Sequence, residues 1–280
     1  MSEIYDYNPL FNGWKIRDYL GKGGFGEVYS ISREQLGLTQ VSAVKRINIS
    51  NDSLEKDPKL LGRVETEIDV MLKMKGSAYI VEIEEFSVEE RKDGNGQDVL
   101  IRMELLDCIE SIIEKRPLEV SEVVKLGIHI CRTLELCDKF TVIHRDIRPP
   151  NIFRSSHGIY KLGDFGIAKI AVEADAPTYA STDDYMAPEM RVGKYDKRAD
   201  IYSLGLTLFF LLNGNKLPFE SQNILNKVRV IDIKPIPFLQ NVPEWLSIIV
   251  QKACAHSPNE RYANAIEMRD ALEKGEINNS

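Results

Sequence analysis

The sequence predicts an α+β protein of two lobes, a β-rich small lobe with one helix over residues 1–104 and an α-rich large lobe over 105–280. Three observations carry this. Segments rich in β-branched and aromatic residues, punctuated by glycine, fill most of the first hundred residues. Beyond residue 104, apolar residues recur at the three- and four-residue steps of a helix. A length of 280 residues, with 43% hydrophobic and 28% charged residues, suffices to bury a core and is not the composition of a disordered chain.

Trp14–Leu20, Glu27–Ser32 and Val41–Ile49 read as the first strands. Asn51–Lys59 reads as a polar loop. Leu60–Lys75 carries Leu61, Val64, Ile68, Met71 and Leu72 at helical spacing. Val81–Val88 and Val99–Met103 flank the polar turn Lys92–Gln97, a hairpin signal. Ser121–Phe140 places Val124, Ile128, Cys131 and Leu134 on one face, with Ser121 and Glu122 as its start. Lys197–Leu212, Pro243–Ala255 and Ala263–Glu273 repeat the pattern. Ile201–Leu212 is the most apolar stretch; at twelve residues it is too short to span a bilayer and suits a buried core helix. A β-rich lobe followed by an α-rich one predicts a ligand site between them.

Lys plus Arg number 36 against 43 Asp plus Glu, a net charge of −7. This argues against a nucleic-acid coat, which needs summed positive charge. Cys108, Cys131, Cys137 and Cys254 form no C-x-x-C pair, so they read as free thiols in a reducing, cytoplasmic setting. The first ten residues lack the basic and apolar regions of a secretory signal, and the chain carries no membrane segment by this reading.

Gly21-Lys22-Gly23-Gly24-Phe25-Gly26 contains G-x-G-x-x-G. The same pattern opens the helix of dinucleotide-binding folds. Here Val28, Tyr29 and Ile31 follow, which favours a strand and a hairpin whose amides lie over phosphates. Lys45 falls on a half-buried strand and needs a partner, because an unpaired buried ammonium is costly. Glu67, on the helix, is the expected one. His144-Arg145-Asp146, with Asn151 five residues beyond Asp146, comes next; Asp164-Phe165-Gly166 and Ala187-Pro188-Glu189 follow.

This set, in this order, resembles the signature of protein kinases, over about Phe11 to Ala271. The resemblance implies a bilobal kinase fold and a phosphotransferase using ATP with magnesium, or manganese in its place. The Gly21–Gly26 amides would cover the β- and γ-phosphates, with Phe25 shielding them. Lys45, held by Glu67, would bind the α- and β-phosphates. Asp164 and Asn151 would hold the metal, and Asp146 would accept the proton of the attacking hydroxyl. Val28, Ala43 and Phe153 would enclose adenine, Met103 would be the gatekeeper, and the backbone of Glu104 and Leu106 would meet the base edge. His144, Phe165, Met71 and Ile83 match the family's stack between the lobes. Glu189 would pair with Arg261.

Arg148 stands where the serine/threonine branch usually has Lys; the charge is kept, the geometry is not. It is expected to contact the γ-phosphate. With Thr182 it still resembles that branch, and Asp200-Ile-Tyr-Ser-Leu-Gly205 looks like bacterial members. Pro150 removes the acidic residue that several basic-directed kinases carry there. Arg145 implies a phosphate-controlled activation segment. Thr178 is the first candidate site, Ser181 and Thr182 the next, and Lys169 a second cation of the pocket. Expected partners are proteins with Ser/Thr acceptors and, for trans-autophosphorylation, a second copy of the chain. The alternatives are a nucleotide-binding pseudokinase acting as an interaction module, against which Lys45, Glu67, Asp146, Asn151 and Asp164 all speak, and a small-molecule kinase, against which Ala187-Pro188-Glu189 speaks.

Overall fold

The computed structural model describes residues 3–23, 26–165, 184–219 and 234–279. The chain divides into two compact units. One runs to Ser77 and includes Val81–Leu106; the other takes Ala78–Ile80 and everything from Asp107 onward. The division thus falls two residues later than the sequence suggests. Ala78–Ile80 crosses over because Tyr79 O accepts hydrogen bonds from Leu162 N at 2.9 Å and Thr133 Oγ1 at 2.7 Å.

The first unit is an antiparallel sheet of β1 (Lys15–Gly23), β2 (Gly26–Gln35), β3 (Leu38–Ile49), β4 (Ile83–Glu90) and β5 (Gln97–Met103), in the order β1-β2-β3-β5-β4. The β2–β3 hairpin closes on Leu36 and Gly37, both at positive φ (54° and 75°), with Gln35 opposite Leu38. Gly is at home there; Leu36 is strained and almost wholly exposed. Alternation along the strands gives the sheet two distinct faces. Tyr29, Ile31, Val44 and Leu100 form one, covered by the N-terminal segment through Ile4, Leu10 and Trp14. The guanidinium groups of Arg33 and Arg102 lie over the Trp14 ring at 5.0 and 4.7 Å.

Two helices belong to this unit, α1 (Asn51–Lys56) and α2 (Leu60–Lys73). The first replaces the expected polar loop. Ser50 caps it, its Oγ accepting from Ser53 N at 3.1 Å, so a polar run becomes a short helix because its first orphan donor is satisfied. In α2, Val64, Glu67, Ile68 and Met71 are buried, as the three- and four-residue spacing requires.

The second unit is built on α3 (Ile109–Ile113), α4 (Val120–Lys139), α5 (Arg198–Leu212), α6 (Glu244–Ala253) and α7 (Ala265–Asn279), with a small antiparallel sheet of β6 (Asp107–Cys108), β7 (Ile152–Arg154) and β8 (Tyr160–Leu162). The start of α4 corrects the Ser121 expectation. Glu119 and Glu122 form a capping box, and Arg116 grips Glu122 with two hydrogen bonds at 2.6 and 2.8 Å. That grip holds the Glu122 carboxyl down at about 2. Nearly all of α5 is buried, consistent with its apolar sequence. It packs against α4 and α6, and α4 packs also on α7. The approach of α5 to α6 depends on Gly205, where a Cβ would stand 2.7 Å from Ala253 Cβ and 2.8 Å from Cys254 Sγ. All four cysteines are free thiols.

Candidate active site

In the first unit, strand register gathers the residues singled out in the sequence. Val28 lies opposite Lys45, and Ala43 lies opposite Met103. These four therefore share the sheet face opposite the one covered by the N-terminal segment. Lys45 Nζ meets Glu67 Oε1 at 3.6 Å, with the side chains 9% and 3% exposed. A carboxylate in this setting compensates the desolvated ammonium and fixes its direction. Glu104 donates its N–H to Glu82 O at 3.3 Å, so a base-edge role there falls to its carbonyl. Leu106 is half-buried at the end of the unit.

The glycine motif opens a strand. Gly21 pairs with Val28, Lys22 with Glu27 and Gly23 with Gly26, and the chain continues as β2. This is incompatible with the helix of a dinucleotide-binding turn. Gly26 is obligatory by contact, since a Cβ there would sit 2.0 Å from Arg46 O. Gly24 and Phe25 lie outside the described residues.

In the second unit the site rests on a buried carboxylate. Asp200, on α5, accepts the N–H groups of His144 at 2.7 Å and Arg145 at 2.8 Å. Those bonds hold Arg145 in a left-handed conformation, φ 69°. Burial pushes the His144 pKa down, against the pull of Asp200. The ring is therefore neutral: Nδ1 accepts from Asp146 N at 3.3 Å, and Nε2 donates to Gly163 O at 3.1 Å. Its centroid lies 4.7 Å from that of the Phe165 ring, tilted by 56°, and Phe165 is fully buried. Met71 and Ile83 are each buried within the first unit.

Asp146 is held from two sides. Asn151 Nδ2 donates to its Oδ2 and to its backbone O, both at 2.8 Å, and Arg148 Nε stands 3.2 Å from Oδ1. Arg148 is thus paired with the aspartate in this state of the chain. With Nδ2 committed to Asp146, the Asn151 amide oxygen is the atom left for a hard cation, and Asp164 supplies a carboxylate. Asp164 is at φ 54° between Gly163 and Phe165. Among the described residues no group of three or more His, Cys, Asp or Glu forms a ready-made cation cage. One amide oxygen and one carboxylate suit magnesium, which keeps water and phosphate oxygens in its shell. Phe153, on β7, is half-buried.

Arg145 lies over the Tyr195 ring at 5.4 Å, and its buried Nε and Nη1 have no hydrogen-bond partner among the described residues. Gly166, Lys169, Thr178, Ser181 and Thr182 lie outside the described residues. The expected pair of Glu189 and Arg261 is present, at 2.5 and 2.8 Å. Arg261 also donates to Ala255 O, Arg198 O and His256 O, so all five guanidinium hydrogens are used. Sequence reasoning did not single out Asp200 as the anchor of the His144 loop. The available signal was a lone carboxylate inside an otherwise apolar helix, which needs buried donors.

The sequence profile of the protein kinase domain matches residues 14–274. A probable serine/threonine-protein kinase of Clostridium perfringens is 29% identical over 276 residues, covering 95% of this chain and 38% of that protein. The serine/threonine-protein kinase PknK of Mycobacterium tuberculosis is 28% identical over 93% of this chain and 23% of its own length. Pkn1 of Myxococcus xanthus is 31% identical over 91% of this chain and 37% of its own. The chain therefore spans well under half of each of these curated relatives. Among the described residues no helix is long and apolar enough to cross a membrane.

Proposed function

Because the chain belongs to the protein kinase domain family, we propose that it transfers the γ-phosphate of ATP to serine and threonine hydroxyls of proteins. In that reaction a bond forms from the acceptor oxygen to phosphorus as the bond to the ADP oxygen breaks. The acceptor proton passes to Asp146. Asn151 orients the carboxylate that receives it. Lys45, oriented by Glu67, binds the α- and β-phosphates, and the amides of Gly21–Gly26 cover the phosphate tail. Val28, Ala43, Met103, Phe153 and the backbone of Glu104 and Leu106 receive the base. Arg148 moves from Asp146 Oδ1 to the γ-phosphate when ATP is present. Asn151 and Asp164 would hold magnesium, or manganese, which when bound neutralises the phosphate oxygens.

The observation that supports this reading most is the carboxylate of Asp146, held by an amide and a guanidinium while remaining an acceptor. The Arg145 guanidinium, with Nε and Nη1 buried and lacking partners among the described residues, supports control by a phosphate on Thr178, or next on Ser181 or Thr182, with Lys169 as the second cation. Trans-autophosphorylation by a second copy would place it there. The free thiols support a cytoplasmic setting.

The test is transfer of radiolabel from γ-labelled ATP to a generic protein substrate and to the chain itself, with site mapping by mass spectrometry. Transfer by the wild type, abolished by Asp146→Ala, is expected. ATP binding without transfer by the wild type would make the chain a pseudokinase. Transfer with no phosphate on residues 178–182 would remove the regulatory part alone.

A further inference from the structure

Asp98 is a fully buried carboxylate that takes no part in the proposed phosphate chemistry. It accepts from Tyr7 Oη at 2.9 Å, from Arg46 Nε at 2.9 Å and, on its other oxygen, from Asn48 Nδ2 at 3.1 Å; Arg46 Nη2 adds a contact at 2.8 Å. Arg46 reaches on to Glu27 Oε2 at 3.4 Å, and the same oxygen accepts from Tyr29 Oη at 3.0 Å. A continuous polar chain thus runs from the N-terminal segment through β5 and β3 to β2. A core of matching apolar shape would cost less than buried charge, so the chain calls for an explanation beyond stability.

Its placement supplies one. Arg46 directly follows Lys45, and Glu27 directly follows Gly26. Glu27 and Arg46 are cross-strand partners in the β2–β3 register. Because side chains alternate across a strand, clamping Arg46 on one face fixes Lys45 on the other. Clamping Glu27 to Arg46 likewise fixes where the chain leaves the glycine motif. We propose that Tyr7, Asp98, Arg46 and Glu27 form a positioning network through which the N-terminal segment sets the ATP-binding geometry of Lys45 and the glycine motif. This rests on the reading of Lys45 and Gly21–Gly26 as phosphate-binding. Burial and Asp98 push the Tyr7 phenol up to about 12, so it remains a donor at every working pH. Tyr7 and Asp98 act through Arg46 and Glu27 and are positioning residues.

Steady-state kinetics at saturating protein substrate test this. Tyr7→Phe removes one hydroxyl; loss of a hydrogen bond to a buried carboxylate is expected to raise KM for ATP about three- to tenfold with kcat within about twofold. Glu27→Gln is expected to act in the same direction, and the double variant to fall short of the product of the singles, since both sever one chain. Lys92→Ala, which removes only the exposed Lys92–Asp6 pair at 3.3 Å, is expected to leave KM unchanged. An unchanged KM in Tyr7→Phe, whatever happens to its melting temperature, overturns the proposal, as does independent, fully multiplying behaviour of the two variants. If Tyr7→Phe does not fold, Glu27→Gln with its KM-against-kcat split decides alone. Full activity in Lys45→Met would instead overturn the reading of the site beneath it.

Discussion

The two units solve the positioning of functional side chains differently. In the first, Lys45, Val28, Ala43 and Met103 sit on regular strands, and register alone brings them to one face. In the second, Arg145 and Asp164 have left-handed backbones, and Asp146 lies on a loop fixed by buried hydrogen bonds to Asp200 and Asn151. A sheet holds direction by repetition, so one residue contributes little to the backbone frame, and ties such as the Asp98 network adjust the side chains on it. A loop holds direction through a few buried contacts, so each carries much of it. Single substitutions are therefore expected to act more sharply in the second unit.

The largest expected effect is at Asp146. Asp146→Asn keeps the shape and removes the proposed base, so phosphoryl transfer should fall about 10²- to 10⁴-fold with ATP affinity little changed, as radiolabel transfer beside equilibrium ATP binding would show. Glu189→Ala comes next. It leaves the Arg261 guanidinium, whose side chain has no exposure, without its carboxylate, and should cost about 3–5 kcal/mol in urea unfolding. A loss as small as that of an exposed pair would remove the contrast between buried loop contacts and register. The smallest effect is expected in the first unit. Leu36→Gly relieves a left-handed leucine at a turn and should stabilise by about 1 kcal/mol.

Acid sharpens the comparison further. Burial lowers His129 from 6.5 to about 4, and it accepts from Tyr160 N at 3.1 Å. The unfolded chain binds this proton more readily than the folded one. The stabilisation is thus complete above pH 6.5 and lost as pH falls from there to about 4. Glu122 adds a second loss, from 4.5 down to about 2. Both groups are in the second unit; in the first, Asp93 is held down to about 2 by Arg91 but is exposed and contributes little, so acid is expected to weaken the second unit first. Urea midpoints of the wild type and His129→Gln between pH 7 and 4 check this; parallel curves would refute it.

The same contrast governs what the sequence discloses. The strands of the first unit, the helix with Glu67 and the buried α5 follow from alternation and helical spacing. The His144 loop has no periodicity; only its motif marks it, and the role of Asp200 stays hidden because its partners are backbone N–H groups. Ser50 was missed because capping a six-residue helix depends on one hydroxyl. The network around Asp98 was missed for another reason. Tyr7 and Asp98 are 91 residues apart, and no local pattern links them.

The cysteines carry one more consequence. Every thiol of the chain, at 108, 131, 137 and 254, belongs to the second unit, and burial raises the pKa of Cys131, Cys137 and Cys254. Alkylation of Cys131, Cys137 and Cys254 by a maleimide, or their disulfide exchange with Ellman's reagent, must therefore wait for that unit to open, while half-buried Cys108 reacts ahead of them and the first unit contributes no signal. The protein carries a native clock for the breathing of one half of itself, with no cysteine to introduce.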